Sequence, residues 1–244
     1  MTIELNPGQM HVWHANIGPQ PTSADSLQSI LSQTERDRAA RLIFDTHRTR
    51  YIHAHVCLRL LLGAYLHVTP QAISFISGPF GKPYIAANDV VTPDQRSLEF
   101  NISHSADLAV FGFSRAATIG IDTEFVNRRI NVEEIAQTVF TRSELASMRA
   151  LTPSAQFDYF FDLWSRKEAY AKALGMGLQI PFNELEIGRQ PMVDGLGIHS
   201  FVPAPGYAAA FAVPQPVDAI HYFEFQSTFW NSGIDDYADQ INRE

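Results

Sequence analysis

Lysine is nearly absent from this chain. Three occur in 244 residues, Lys82, Lys167 and Lys172, against fifteen arginines. A composition that draws its positive charge from arginine has kept lysine for a few places, and lysine is a compact ammonium donor suited to phosphate oxygens. Cysteine is scarcer still. Cys57 alone excludes a disulfide within the chain and a Cys-rich zinc centre, and it fits a reducing cytoplasm. No run of about eighteen apolar residues occurs, so no membrane-spanning helix is expected. The opening MTIELNPGQM lacks a basic stretch followed by an apolar one, which argues against export. An excess of positive charge is also missing. The net charge of -8 and pI near 5.5 give no general reason to expect nucleic acid or anionic membrane as a partner, although they leave room for a local basic pocket. Finally, there is no Walker glycine-rich lysine loop, which argues against the commonest nucleotide hydrolases.

What is present is enough for a real core: 45% of residues are hydrophobic, and the length suits one large domain or two small ones. Alternation predicts a strand over Met10–Ile17, ended by Pro19 and Pro21. Helices are predicted over Ser23–Ser32, Thr34–Phe44 and His47–Val68, the second carrying Arg36, Arg38 and Arg41. Strands follow at Ile73–Ser77, Leu98–Ser103 and Leu108–Ser114, with a Gly78–Pro83 turn after the first. The order then begins again. It runs through a strand at Thr118–Val126, a helix at Val132–Phe140, and a second helix opened by a Thr141/Glu144 capping box. A long helix follows, with Thr152 at its N-cap and Pro153 at N1, stopping at Gly175. Strands at Glu184–Ile187, Ile198–Val202 and Tyr207–Val213 answer those of the first half, and Ala219–Ser227 is a final strand before a polar tail. This repetition predicts an α+β fold of two pseudo-symmetric lobes, each a small antiparallel sheet on a long helix, with the active site in the cleft between them. The expected boundaries are 1–115 for the first lobe, 116–230 for the second and 231–244 for the tail.

The long helix carries the stretch FDLWSRKEAYAKALGMG from Phe161 to Gly177. It places Trp164, Glu168 and Lys172 at steps of four on one stripe, with Lys167 beside them. A solvated Glu168–Lys172 ion pair would explain two of these residues. Two of the three lysines within a turn and a half point instead to an anion. On the strand G-I-D-T-E, Asp122 and Glu124 at i and i+2 share a face. That is either a charged edge or, with Glu168 as third carboxylate, what Mg²⁺ needs beside substrate phosphate. Asn101-Ile102-Ser103-His104-Ser105 ends a strand in a turn of clustered donors able to hold an anion, and Gly81-Lys82-Pro83 aims one lysine.

Taken together, GKP, FNISHS, GIDTE and WSRKEAYAK, in this order from Gly81 to Lys172, resemble the 4′-phosphopantetheinyl transferase family in its larger, surfactin-synthetase-activating type. The resemblance implies transfer of phosphopantetheine from coenzyme A to a serine of an acyl, peptidyl or polyketide carrier protein, with release of adenosine 3′,5′-bisphosphate. It implies Asp122, Glu124 and Glu168 as magnesium ligands, Glu168 also as base, and Lys172 as stabiliser of the leaving phosphate. It further implies that Lys167, Lys82, Ser103, His104 and Arg50 bind coenzyme A, Arg59 being the rival to Arg50, with Arg36 and Arg38 as possible phosphate contacts. Thr123 stands where an aliphatic residue is usual. A monomer acting in the cytoplasm is expected, because both lobes contribute to one cleft. Two other readings remain open from the residues alone: a different magnesium-dependent phosphotransferase, and a non-catalytic module that binds coenzyme A or a carrier protein.

Overall fold

A computed structural model describes residues 3–20, 22–87, 91–92, 95–115 and 117–226. The tail expected at 231–244 lies outside them. The chain is α+β. It begins with β1 (Gln9–Asn16), α1 (Ala24–Leu27), α2 (Gln33–Ala40) and α3 (Asp45–Leu66). Next come β2 (Phe75–Ser77), β3 (Pro83–Ile85), β4 (Leu98–Ser105) and β5 (Leu108–Arg115). The second half starts with β6 (Gly120–Phe125), α4 (Val132–Val139), α5 (Arg142–Arg149) and α6 (Pro153–Leu174). It ends with β7 (Met192–Val193), β8 (Leu196–Phe201), β9 (Tyr207–Pro214) and β10 (Ala219–Glu224).

The sheets are ordered β10-β1-β5-β4 and β6-β9-β8-β7, so β1-β5-β4 is matched by β6-β9-β8. The likeness extends to single residues. Adding 108 to the residue number carries α3 onto α6 end to end, carries the left-handed C-cap His67 onto the left-handed C-cap Gly175, and carries Arg59 onto Lys167. Each of those two cations is buried, and each pairs with the glutamate of a capping box on a preceding short helix. Arg59 pairs with Glu35, which caps back to Ser32 on α2, and Lys167 pairs with Glu144, which caps back to Thr141 on α5. Each also donates to two carbonyls of the segment that follows its helix, Pro70 and Ile73 for Arg59, Phe182 and Leu185 for Lys167.

One apolar core lies under each sheet. A third, formed by Met10, Val12, Leu108, Val110, Ile119, Ile121, Phe211 and Val213, joins them. The structure differs from the sequence reading at three places. Glu184–Ile187 is not a strand, its backbone being drawn into turns around Glu144, whose carboxylate takes the N–H of Ile187 at 3.0 Å. The short β3, which no pattern suggested, pairs with β2 across the Gly78–Pro83 turn. And β10, grouped in sequence with the second half, pairs in parallel with β1 of the first sheet, where Phe223 stacks on Trp13 at 4.6 Å.

Candidate active site

Edge strands β4 and β6 face each other, and side chains close the gap between them where a backbone ladder would otherwise run. Asn101 Oδ1 accepts the N–H of Ile121 at 2.9 Å, and Ser105 Oγ accepts that of Phe125 at 3.1 Å. Between these two, Ser103 Oγ donates to Asp122 Oδ1 at 2.8 Å. All three β4 residues occupy alternate positions and so share one face of the strand. The expected strand end at Ser103 concealed this, because β4 runs on to Ser105.

Helix α6 packs against β6 at Gly120. A Cβ there would fall 2.0 Å from the Ala169 carbonyl oxygen and 2.3 Å from the Ala173 nitrogen, so only glycine permits the approach. That contact brings Lys172 to Asp122 Oδ1 at 2.7 Å and to Ser103 Oγ at 2.9 Å. Lys172 thus pairs with Asp122 on the opposite strand, where the sequence suggested its helix neighbour Glu168. Burial first, and then the charge of Asp122, raise the Glu168 carboxyl to about 7, with Glu124 adding to the effect and Lys172 opposing it. Glu124 is also pushed up, by burial and then by Asp122. The three carboxylates therefore crowd one region.

Among the described residues no three His, Cys, Asp or Glu side chains converge closely enough to enclose an ion. The donor chemistry nonetheless fits a hard divalent cation. Asp122 Oδ2 is buried without a hydrogen-bond partner, and three mutually repelling carboxylates are what a cation relieves.

A second group, positively charged, lies beside the first. His104 is accessible yet ringed by protein, and its pKa falls through desolvation and then through the charges of His55, Lys172, Arg50 and Arg38. Arg50 on α3 is fixed by Asp107 in the β4–β5 turn, donating to Oδ1 from Nε at 2.8 Å, with Nη2 in ion-pair contact with the same oxygen at 2.7 Å. Arg59 is not available to a ligand. It is fully buried, bound to Glu35 and to two carbonyls, so Arg50 is the arginine that remains near the cleft. Arg36 is likewise taken up locally by Gln28, Leu31 and Gln33.

Two lysines are not where the resemblance implies. Lys167 is fully buried in the second lobe, its ammonium 2.8 Å from Glu144 Oε2 and 2.7 Å from the Phe182 carbonyl. The reason is helical phase: five residues from Lys167 to Lys172 turn the helix through about 140° beyond one full turn, which puts the two on different faces. Lys82 is also buried. Its ammonium donates to Thr118 Oγ1 at 3.2 Å and to the Ile119 carbonyl at 2.9 Å, fastening the glycine-proline turn to the start of β6. Residues that sequence reasoning did not assign to the site position those it did, Ser105 and Trp164 holding Glu124 and Asp107 holding Arg50, while Asn101 ties β4 to β6.

The site unites acids and a lysine from one lobe with hydroxyl, imidazole and guanidinium groups from the other, an arrangement suited to transfer at a polyphosphate. Residues 118–197 match the family described as "4′-phosphopantetheinyl transferase superfamily", and residues 16–115 match "4′-phosphopantetheinyl transferase, N-terminal". The 4′-phosphopantetheinyl transferase HetI of Nostoc sp. is 30% identical over 233 residues, covering 94% of this chain and 94% of that protein. A putative 4′-phosphopantetheinyl transferase of Synechocystis sp. is 30% identical over 65% of this chain and 62% of its own length. The 4′-phosphopantetheinyl transferase Sfp of Bacillus subtilis is 31% identical over 67% of this chain and 68% of its own. The chain belongs to the 4′-phosphopantetheinyl transferase family and is an enzyme of that activity.

Proposed function

We propose that the chain takes phosphopantetheine from coenzyme A, joins it to a serine hydroxyl of an acyl, peptidyl or polyketide carrier protein, and releases adenosine 3′,5′-bisphosphate. The observation that carries this reading is the meeting of Asp122, Ser103 and Lys172 at the seam, with Asp122 Oδ2 buried and unpartnered. Asp122, Glu124 and Glu168 would hold Mg²⁺. When bound, the ion neutralises the pyrophosphate oxygens, the main service that phosphoryl transfer requires.

The serine oxygen forms a bond to the phosphorus nearest the pantetheine while the bridging P–O bond to adenosine bisphosphate breaks. Glu168, directly or through a metal-bound water, takes the serine proton. Lys172, held among Asp122 and Ser103, faces the charge that develops on the leaving phosphate. Arg50 and Arg38 supply the positive charge for the nucleotide phosphate, with His104 beside them as a neutral imidazole donor. Because Ser103 comes from one lobe and Asp122 and Lys172 from the other, one chain assembles the cleft, and the working unit is a monomer. A cytoplasmic location agrees with the single cysteine. Among the described residues no helix is long and apolar enough to cross a membrane.

The test is intact-mass measurement of an apo carrier protein incubated with coenzyme A, Mg²⁺ and the protein. A gain of one phosphopantetheine that disappears with chelator or with Asp122→Asn is expected. No gain on carriers of any of the three kinds would refute the reading.

A further inference from the structure

We propose that Trp164 is a positioning residue which, together with Ser105, fixes the Glu124 carboxylate for metal binding. The inference rests on the proposed function above, which makes Glu124 a metal ligand.

Glu124 has each oxygen engaged by a different donor. Trp164 Nε1 donates to Oε1 at 3.2 Å, and Ser105 Oγ donates to Oε2 at 2.9 Å. Neither donor has an alternative role at that bond. An indole N–H can only donate, so Oε1 must be the acceptor. Ser105 Oγ accepts the N–H of Phe125 at 3.1 Å, which turns its own hydrogen toward Glu124.

The two donors come from different halves of the chain, Trp164 from α6 and Ser105 from β4, so Glu124 is pinned from both sides of the seam. Asp122 is held differently, by Ser103 and Lys172 through one oxygen, with its second oxygen free of hydrogen bonds. Trp164 is itself held still, stacked on Phe160 at 6.2 Å and edge-on to Phe182 at 5.9 Å. Phenylalanine would keep a ring against Phe160 and Phe182 while losing the N–H and part of the indole's volume, and Ser105→Ala tests the same carboxylate without a change of ring. Donors that orient a ligating carboxylate restrict it to its binding rotamer and keep it from swinging to solvent, and their loss typically lowers metal affinity by about 10–100-fold.

The experiment is titration of the full chain with Mn²⁺, followed by electron paramagnetic resonance, with and without coenzyme A. Coenzyme A affinity in the absence of metal is measured by calorimetry. Trp164→Phe and Ser105→Ala should each weaken Mn²⁺ binding by roughly tenfold, with coenzyme A affinity unchanged, and Ser105→Thr, which keeps the hydroxyl, should bind Mn²⁺ within about twofold of the parent. If Trp164→Phe does not fold, the Ser105→Ala and Ser105→Thr pair decides the matter alone. Parent-like Mn²⁺ affinity in Trp164→Phe or Ser105→Ala overturns the inference. So does an equal loss of metal-free coenzyme A affinity, which would mark a general distortion. Failure of the parent chain to bind Mn²⁺ at all overturns the underlying metal reading, and this inference with it.

Discussion

Lys167→Met separates two roles for the most deeply buried lysine. The structure puts its ammonium against Glu144 and the carbonyls of Phe182 and Leu185, with no exposed surface. Removing one member of a buried ion pair strands the other and costs about 3–5 kcal/mol. Glu144 would keep three backbone donors, the N–H groups of Thr141, Ile187 and Gly188, which favours the lower end, about 3 kcal/mol. For a chain of this size that corresponds to a fall in Tm of about 6–12 °C. The assay is thermal unfolding of parent and variant at neutral pH, paired with KM for coenzyme A well below both midpoints. A fall of that size with KM within about twofold is expected. Adding Glu144→Gln removes the stranded charge and should restore about half of the loss. Arg59→Met, at the matching place in the first lobe, should cost a similar amount. Unchanged Tm with a large rise in KM would refute the reasoning, since it would mean that Lys167 acts on the pyrophosphate as the family resemblance implies.

Glu35 should govern acid stability. Burial alone would raise its carboxyl, but hydrogen bonds from His55 and Ser32 and the charge of Arg59 bring it down to about 2. Its stabilisation is full above the unfolded value of 4.5 and disappears as pH falls toward 2, an amount of about 3 kcal/mol. Urea unfolding of Glu35→Gln should therefore change by about 3 kcal/mol less than the parent between pH 5 and 2, and an identical change would contradict this. Lys172→Ala should lower kcat by more than tenfold with little change in the dissociation constant for coenzyme A, as expected for a group acting on charge that develops in the transition state; a pure rise in KM would dismiss that role. Arg50→Ala should weaken coenzyme A binding with a shallower salt dependence than the parent, and His104→Ala should weaken it with the salt dependence kept, whereas Lys82→Met should lower Tm and leave that affinity alone. Calorimetry showing the reverse pattern would exchange the assignments.

Element order and the four motifs were readable because each rests on a local signal: apolar period, capping box, glycine at a helix end. The match between α3 and α6 could have been found from the sequence as well, for both are 22 residues long and their buried cations hold the same position, but arginine in one and lysine in the other obscured it. What the sequence did not reveal were relations set by tertiary contact. Lys167 and Lys172 look alike on paper, and only the packing of α6 on β6 at Gly120 decides which faces the seam. Lys82 lies in a turn that reads as an exposed tip until Thr118 and Ile119 are seen to receive its ammonium. The pairing of β10 with β1 spans most of the chain, and periodicity carries no information about which edge a strand will choose.

That last strand decides how the halves depend on each other. A chain split between β5 and β6 would yield a first fragment whose sheet lacks one margin and a second fragment carrying, at its far end, the ribbon that completes it. The fragments would behave as donor and acceptor, like a pilin subunit lending a strand to its neighbour, with the main-chain hydrogen bonds of β1 and the Phe223–Trp13 stack acting as the latch. The first sheet is therefore complete only once residues near the end of the second half have been made and have docked on β1.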